Sequence, residues 1–266
     1  MTPAARRTRE ETRELVVEAA LDLVRQHGLG VEPTTISYQR VFDHLAKTKG
    51  VRVTRASVHE RIWDSQEDFQ EDVLLRVSRL ASGVSGAAEA AAETLASSHF
   101  EHPLALMREL GRTAPDAVLK IAAADPLFYS WVGFTLSLAK DSSTSDERRE
   151  TLADASSREY SGTENSGAEL VQSLAEVLGV RPRRDLFGRG EDAFLLIARL
   201  GLALAEGVTV RMRFRESELA DIRLNTGPNG SEQTWSVFAA GYWALLNTFL
   251  EIDPDAHPDL VDDRSD

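Results

Sequence analysis

Cysteine is absent from this 266-residue chain, and its absence removes several kinds of chemistry. Without cysteine there is no disulfide bond, no thiolate nucleophile and no cysteine-ligated metal. We also find no apolar run of the ~20 residues that a membrane span needs. The basic N-terminal residues are not followed by the apolar stretch of a secretory signal. The sequence therefore predicts a cytoplasmic protein without a membrane partner.

Motifs typical of enzymes and metal sites are missing as well. The histidines form no Ser-His-Asp or HExxH pattern, and no glycine-rich phosphate loop is present. His99 and His102, with Glu101 between them, could share one helix face, but two imidazoles need a third ligand. Pro103 also crowds the second histidine. We therefore expect neither catalysis nor a bound metal or cofactor.

Acidic residues outnumber basic ones, but the excess is unevenly distributed. The formal net charge is −13, yet residues 1–80 contain 13 Lys and Arg and 13 Asp and Glu. Within residues 40–61 there are six basic and two acidic residues. A locally basic module on an acidic body can still bind DNA. The alternative, that this local excess is an ordinary solvated surface, remains open at this point.

Helical periodicity dominates the chain, and no strand-length alternation or internal repeat is visible. The first helix is predicted over residues 9–26, with Thr8 and Glu11 as a capping box and Gly28 as its stop. A longer helix is predicted to start at Asp64 or Ser65. Apolar residues make up 42% of the chain, which is enough for a core. The predicted fold class is all-α.

Later segments are predicted from the same signals. Pro103 and Pro115 fit the first turns of two helices, and Asp125 before Pro126 fits a third helix start. The polar segments 141–150 and 161–167 are interpreted as loops, and a helix is expected over 167–178. Two late helices, residues 191–215 and 231–252, are apolar on nearly every side. Such helices pack either in a core or on a second subunit, and both options remain open.

Residues 37–69 show the layout of a helix-turn-helix DNA-binding unit. Ser37 can cap one helix and Thr54 the next, each flanked by apolar residues placed for a hydrophobic staple. Gly50 supplies the turn between these two helices. The second helix is expected to carry side chains that contact phosphates and base edges, namely Arg55, Ser57, His59 and Arg61.

These residues resemble a known family. The segments VVEAALDLVRQHGL, TTISYQRVFDHLA and VTRASVHERIWDSQEDF are similar to the three-helix DNA-binding region of TetR-family transcriptional regulators. Glu206–Val208, inside an apolar late helix, is similar to a motif in that family's penultimate helix. The turn before the third helix is about two residues longer than usual in the family. His59 stands where tyrosine is usual, and Glu60 where arginine or lysine is common.

The resemblance implies three regions and a function. It implies an N-terminal arm and helix-turn-helix head over residues 1–63, a helical ligand-binding and dimerisation body over 64–252, and an acidic tail over 253–266. The implied function is a homodimeric repressor that a small apolar or aromatic ligand releases from a near-palindromic double-stranded operator. Two alternatives are a regulator-like protein that has lost DNA binding and acts through protein contacts, and a helical enzyme or metal-binding protein.

Site residues follow from the resemblance and from residue type together. The expected DNA contacts are Ser37, Arg52, Thr54, Arg55, Ser57, His59, Arg61, Arg6 and Arg7. The expected ligand contacts are Met107, Phe128, Tyr129, Trp131 and Phe134. The expected dimer interface contains Phe194, Ile197, Leu204, Trp235, Tyr242, Leu246 and Phe249. For the aromatic residues, a filled core is the alternative.

Overall fold

The computed structural model describes residues 7–29, 36–59, 61–81, 91, 95, 102–138, 146–187, 192–215, 221–227 and 230–260. These residues are mostly helical, which confirms the predicted all-α class. The elements in chain order are α1 Arg9–His27, α2 Tyr38–Lys49, α3 Arg55–Val58, α4 Gln66–Ala81, α5 Pro103–Ala124, α6 Pro126–Leu138, α7 Asp146–Leu178, β1 Val180–Pro182, α8 Ala193–Arg215, β2 Ile222–Leu224, β3 Gln233–Trp235, α9 Val237–Phe249, β4 Leu250–Ile252 and a short 3-10 helix Pro258–Leu260.

The chain divides into two compact units. The first unit contains residues 1–83 and 125–160, and the second contains residues 84–124 and 161–266. The expected division placed only residues 1–63 in the head and all of 64–252 in the body. The first unit therefore adds α4, α6 and the beginning of α7 to the head. The helix α7 is continuous and belongs to both units.

The first unit is built around an apolar core between α1, α2, α4 and α6. Its helix starts follow local sequence signals, because Thr8 forms the expected capping box with Glu11 at the start of α1. Ser65 accepts a hydrogen bond from the backbone N–H of Asp68 at 3.0 Å and thus caps α4. Asp125 does the same for Leu127 at the start of α6. The helix α6 packs against both α1 and α4.

In the second unit, α9 packs against α5 and α8. Ser236 caps α9 by accepting a hydrogen bond from the backbone N–H of Ala239 at 2.9 Å. Two antiparallel strand pairs join the ends of these helices, β1 with β4 and β2 with β3. The core combines residues of α5, α7, α8 and α9 with Val180 of β1.

Four predicted boundaries in the later chain are wrong. The helix α7 begins at Asp146, inside the segment 141–150 that is interpreted as a loop from the sequence. Pro115 lies inside α5 and does not start a new helix. The predicted loop 161–167 is part of α7. Within this segment, Gly167 lies against Ala198 of α8, where an added Cβ would be 3.3 Å from the Ala198 Cβ. The glycine therefore serves close helix packing. The late helix expected over 231–252 is reduced to α9, since its two ends form strands.

The helix α8 is long and apolar enough to cross a membrane by length and composition alone. An 18-residue window within it has a mean hydropathy of 1.8. This corrects the expectation that no apolar run reaches that length. A single such helix is weak evidence for a membrane span; 28% of this window is buried inside the protein, where α8 packs against α5 and α9. The structure is therefore compatible with a soluble protein.

Candidate nucleic-acid interface

The turn between α2 and α3 follows from two local features. Ser37 caps α2, with its Oγ 3.4 Å from the backbone nitrogen of Arg40. Gly50 ends the helix in the left-handed region with a φ of 63°, which residues other than glycine rarely adopt. The chain then passes through Arg52 and Val53 in non-helical conformation before α3 begins at Arg55. Two helices joined by a glycine-containing turn thus occur where the sequence predicts them.

The third helix is shorter than expected. It was expected to carry Arg61, but it ends at Val58, and His59 adopts an extended conformation with a ψ of 137°. The Val58 carbonyl accepts hydrogen bonds from the backbone N–H groups of Ile62 at 2.9 Å and Trp63 at 3.3 Å. These bonds turn the chain toward α4. His59 and Arg61 therefore follow α3 in this turn instead of projecting from its helical face.

Trp63 fixes this turn to the rest of the first unit. Its ring packs edge-on against Phe69 at a centroid distance of 4.9 Å, and Tyr38 stacks on Phe69 at the same distance. The indole N–H of Trp63 donates to Asp72 Oδ2 at 3.0 Å. The Arg13 guanidinium binds the same carboxylate with two hydrogen bonds of 2.7 and 2.9 Å. Asp72 thereby links α1, the turn and α4.

We expect Asp72→Asn to destabilise the protein by about 1–3 kcal/mol, because both Arg13 and Trp63 lose a charged acceptor. Glu14→Gln is the matched control, since Glu14 pairs with Arg76 between the same two helices but its side chain is 46% exposed. This control should cost ~1 kcal/mol or less. Urea unfolding of both variants measures the difference. Equal effects would contradict the linking role of Asp72.

A basic cleft lies between the start of α1 and the α2–α3 connection. Its lining residues are Arg7, Thr8, Arg9, Thr12, Leu15, Arg52, Val53, Ser57, Arg61 and Ile62. Among the described residues, the lining thus combines four arginines with three hydroxyl side chains and no acidic residue. Within the described part of the chain, none of these arginines forms a salt bridge. The cleft is therefore suited to an anionic group.

Glu11, which is hydrogen-bonded to the cleft residue Thr8, carries the opposite charge. Hydrogen bonds with Thr8, and to a smaller extent the charge of Arg7, hold the pKa of Glu11 below its ordinary value. Glu11 is accordingly anionic at neutral pH. It reaches back to the Thr8 backbone N–H at 2.7 Å and is not among the lining residues.

The expected DNA contacts differ in accessibility. Arg52, Thr54, Arg55 and Arg61 are exposed, whereas Ser37, Ser57 and His59 are partly buried. The Ser57 hydroxyl donates to the Thr54 carbonyl at 2.6 Å and accepts from the Thr54 N–H at 3.2 Å, so it stabilises the start of α3. Arg6 lies outside the described residues. The structure brings Arg7, Arg52, Ser57 and Arg61 together in the cleft.

Sequence reasoning missed Thr8 and Thr12 as members of the cleft. Thr8 is recognised from the sequence only as a helix cap, and Thr12 only as a residue of the first helix. Their spacing holds a signal, because residues 8 and 12 are one turn apart at the start of a helix. What the sequence does not show is that this helix end faces Arg52 and Arg61.

The expected ligand contacts do not share one site. Met107 lines an apolar cavity of about 160 Å³ in the second unit. The four aromatic residues of α6 lie in the first unit and do not line that cavity. Phe128, Trp131 and Phe134 are buried there, and the Trp131 ring lies 4.6 Å from the ring of Tyr160 on α7. Their position fits the filled-core alternative.

The expected interface residues mostly point into the second unit. Ile197, Trp235 and Leu246 are buried in it. Phe194, Leu204, Tyr242 and Phe249 are partly buried against its cores. A different face of α8 is exposed, and it carries Leu196, Leu200, Ala203, Gly207 and Phe214. Leu196 and Leu200 are 36% and 37% exposed, and Phe214 is 80% exposed.

No metal-binding group of three or more His, Asp or Glu side chains occurs among the described residues. Of the histidine motif weighed from the sequence, His99 and Glu101 lie outside the described residues, and His102 is exposed.

No protein-family model and no curated protein sequence matches the chain. The functional interpretation therefore rests on the sequence resemblance and on the geometry described above.

Proposed function

We propose that this protein is a homodimeric, ligand-responsive DNA-binding transcription regulator that acts in the cytoplasm, most simply as a repressor. The observation that carries the proposal is the basic cleft, which lies against the helix-turn-helix and contains Arg52 and Arg61. Phosphate oxygens of DNA are the anions that such a cleft fits. Arg55, exposed at the start of α3, supplies a group suited to the guanine edge in the major groove.

Different residues of the head are proposed to contact the phosphates and the base edges. Phosphate contacts fix the position of a protein on the duplex, whereas contacts with base edges read the sequence. The cleft arginines belong to the first kind and Arg55 to the second. Two heads of a dimer would read half-sites one DNA turn, about 34–36 Å, apart. The operator of such a dimer is near-palindromic.

A second candidate function is a regulator-like protein that acts through protein contacts without binding DNA. The observation in its favour is the length of α3, which has only four residues. A gel shift with the DNA upstream of the protein's own coding sequence, in the presence of competitor DNA, separates the two. A specific shift supports the regulator. Absence of a shift at micromolar protein and low salt supports protein contacts.

The dimer is expected to form through the exposed face of α8. Residues 196, 200, 203 and 207 repeat at intervals of four, three and four, so they share one side of the helix. All four are leucine, alanine or glycine. The same face of α8 on a second copy of the chain can pack against this face about a twofold axis. Neighbouring buried residues of α8 then stabilise each protomer, while this face joins the two.

We expect Leu200→Glu to convert the dimer to a monomer at micromolar concentration, because a carboxylate without a partner would be buried at the interface. The protomer mass is 29.3 kDa, so sedimentation equilibrium distinguishes the two states. Leu186→Glu is the control, since Leu186 is 47% exposed but lies in the turn after β1. A dimeric Leu200→Glu variant, or a monomeric parent, would contradict the proposed interface.

A further inference from the structure

We propose that the apolar cavity of the second unit is a binding site for a compact, uncharged ring compound with a single hydroxyl group. Its assignment as the regulatory site rests on the proposed function, but binding to the cavity does not. The cavity lies between α5, α7, α8 and α9, and its volume is about 160 Å³. A closely similar apolar cavity of ~150 Å³ in another protein holds benzene.

The chemistry of the wall defines what can enter. No charged side chain lines the cavity within the part of the chain that the structure describes. Most lining residues are aliphatic, and the hydroxyl-bearing ones are Thr163 and Tyr242. A carboxylate or ammonium group would lose its hydration there without a counter-charge. The free energy of this desolvation is far larger than the stabilisation from apolar contacts. The wall therefore selects neutral molecules.

Tyr242 supplies the polar feature of the wall. Burial raises the pKa of Tyr242 to about 12, so the phenol keeps its proton and can donate a hydrogen bond at neutral pH. Among the hydrogen bonds between described residues, none involves its hydroxyl. Pro115 and Gly111 of α5 also line the cavity, and Pro115 has no N–H to donate to the Gly111 carbonyl one turn earlier in the helix.

Gly201 allows the Tyr242 ring to lie close against α8. An added Cβ at Gly201 would lie 2.6 Å from Tyr242 Cε2, so a side chain at this position would force the ring to shift. Contact with the backbone of α8 therefore limits the movement of the ring on this side. A preformed donor of this kind favours one ligand orientation.

Ligand binding in the cavity can affect the DNA-binding unit through a single helix, α7. Thr163, Gly167 and Leu170 of α7 line the cavity. The preceding part of the same continuous helix belongs to the first unit, where Tyr160 packs against Trp131. A ligand that binds one state of α7 more tightly than another would thereby shift DNA affinity.

Ligand-observed NMR on the full, DNA-free protein tests the site with phenol, toluene and benzoate as probes. We expect phenol to bind at about millimolar concentration, toluene about fivefold more weakly, and benzoate not at all. Tyr242→Phe should reduce phenol binding to the level of toluene and leave toluene unchanged. Binding of benzoate as tight as that of phenol, or a Tyr242→Phe variant with unchanged phenol preference, would overturn the proposal.

A pair of alanine variants on α5 locates the binding. Ala114 lines the cavity, whereas Ala117 on the same helix does not. Ala114→Leu should fill the space and abolish phenol binding, and Ala117→Leu should retain it. Unchanged phenol binding in Ala114→Leu would place the probe elsewhere and overturn the proposal.

The regulatory role is measured separately from binding. Saturating phenol should change the affinity of the parent protein for selected DNA at least severalfold, and should have no effect in Ala114→Leu. Phenol binding without any change in DNA affinity would leave a binding site but overturn its regulatory role. A protein that binds phenol and no DNA would instead contradict the proposed function, so the two failures are distinguishable.

Discussion

Replacing Arg52 and Arg61 together with glutamine is expected to weaken binding to duplex DNA by about 100- to 10,000-fold at physiological salt. Both side chains are exposed and line the basic cleft. A hydrogen bond to a charged group contributes ~1.5–3 kcal/mol, and each 1.4 kcal/mol corresponds to about a factor of ten. The loss should be similar for all DNA sequences, because phosphate contacts carry no direct sequence information.

The salt dependence of binding identifies the lost contacts as phosphate contacts. The slope of log K against log salt concentration should fall in magnitude by ~1.8, since each neutralised phosphate contributes about 0.9. Fluorescence anisotropy at four or five salt concentrations measures both quantities. The double variant Arg158→Gln and Arg223→Gln is the charge-matched control, because both residues are exposed and lie outside the cleft. Equal losses of DNA affinity in the two double variants would mean that the effect arises from net charge and not from contacts in the cleft.

Arg55→Ala is expected to behave differently from the cleft variants. The loss of one base contact should cost about 1–3 kcal/mol on the preferred site and relax the preference at one base pair. Its effect on random DNA should be smaller. The contrast between sequence-independent and sequence-dependent losses tests the division of the head into phosphate-binding and base-reading residues.

Trp131→Ala is expected to destabilise the protein by about 3–5 kcal/mol. The Trp131 side chain is 1% exposed and packs between Phe128 and Tyr160 in the first unit. The sequence left open whether this residue lines a ligand pocket or a filled core. Its burial between two rings, in a unit without the apolar cavity, favours the second option, for which removal of the whole ring leaves a large void.

Trp131→Phe provides the matched comparison. The Trp131 Nε1 atom is buried without a hydrogen-bond partner among the described residues, so its loss removes no hydrogen bond there. This variant should cost clearly less than Trp131→Ala. Phenol binding to the second unit should survive both changes in protein that remains folded. A stability loss below ~2 kcal/mol for Trp131→Ala, or loss of phenol binding in folded Trp131→Phe, would contradict the core assignment.

Local signals in the sequence predicted the helix starts well. The capping box of Thr8 and Glu11, the cap at Ser37 and the Asp125–Pro126 start each depend on residues within one turn, and each is confirmed. Gly50 was likewise predicted to form the turn after α2, and its positive φ confirms this. Interactions of this range are encoded in a few neighbouring residues, which is why one sequence suffices to find them.

Tertiary packing explains where the sequence misled. Gly162, Asn165 and Gly167 favour a loop by propensity, yet α7 continues through them, and Gly167 lies close against Ala198 of α8. The aromatic residues of α6 were correctly expected to need partners on several sides. The sequence could not show that those partners are α1, α4 and α7, because periodicity identifies a face of a helix but not the element that covers it.

In the candidate site, too, local features were predicted from the sequence and the tertiary arrangement was not. The exposed arginines Arg52, Arg55 and Arg61 were predicted from the helix-turn-helix pattern. The cleft itself was not, because it needs the start of α1 to meet a connection more than 40 residues later in the chain. An apolar cavity was expected in the body beside the aromatic helix α6, but only Met107 of the five expected ligand contacts lines the cavity of the second unit.

Selection of bound sequences from a pool of random duplex DNA tests the central claim most directly, because it needs no knowledge of the natural operator. The account predicts an enriched, near-palindromic sequence with two half-sites about one DNA turn apart. The enrichment should disappear with the Arg52→Gln, Arg61→Gln variant and persist with the Arg158→Gln, Arg223→Gln control. No enrichment by the folded, dimeric parent protein would contradict the assignment of this chain as a DNA-binding regulator.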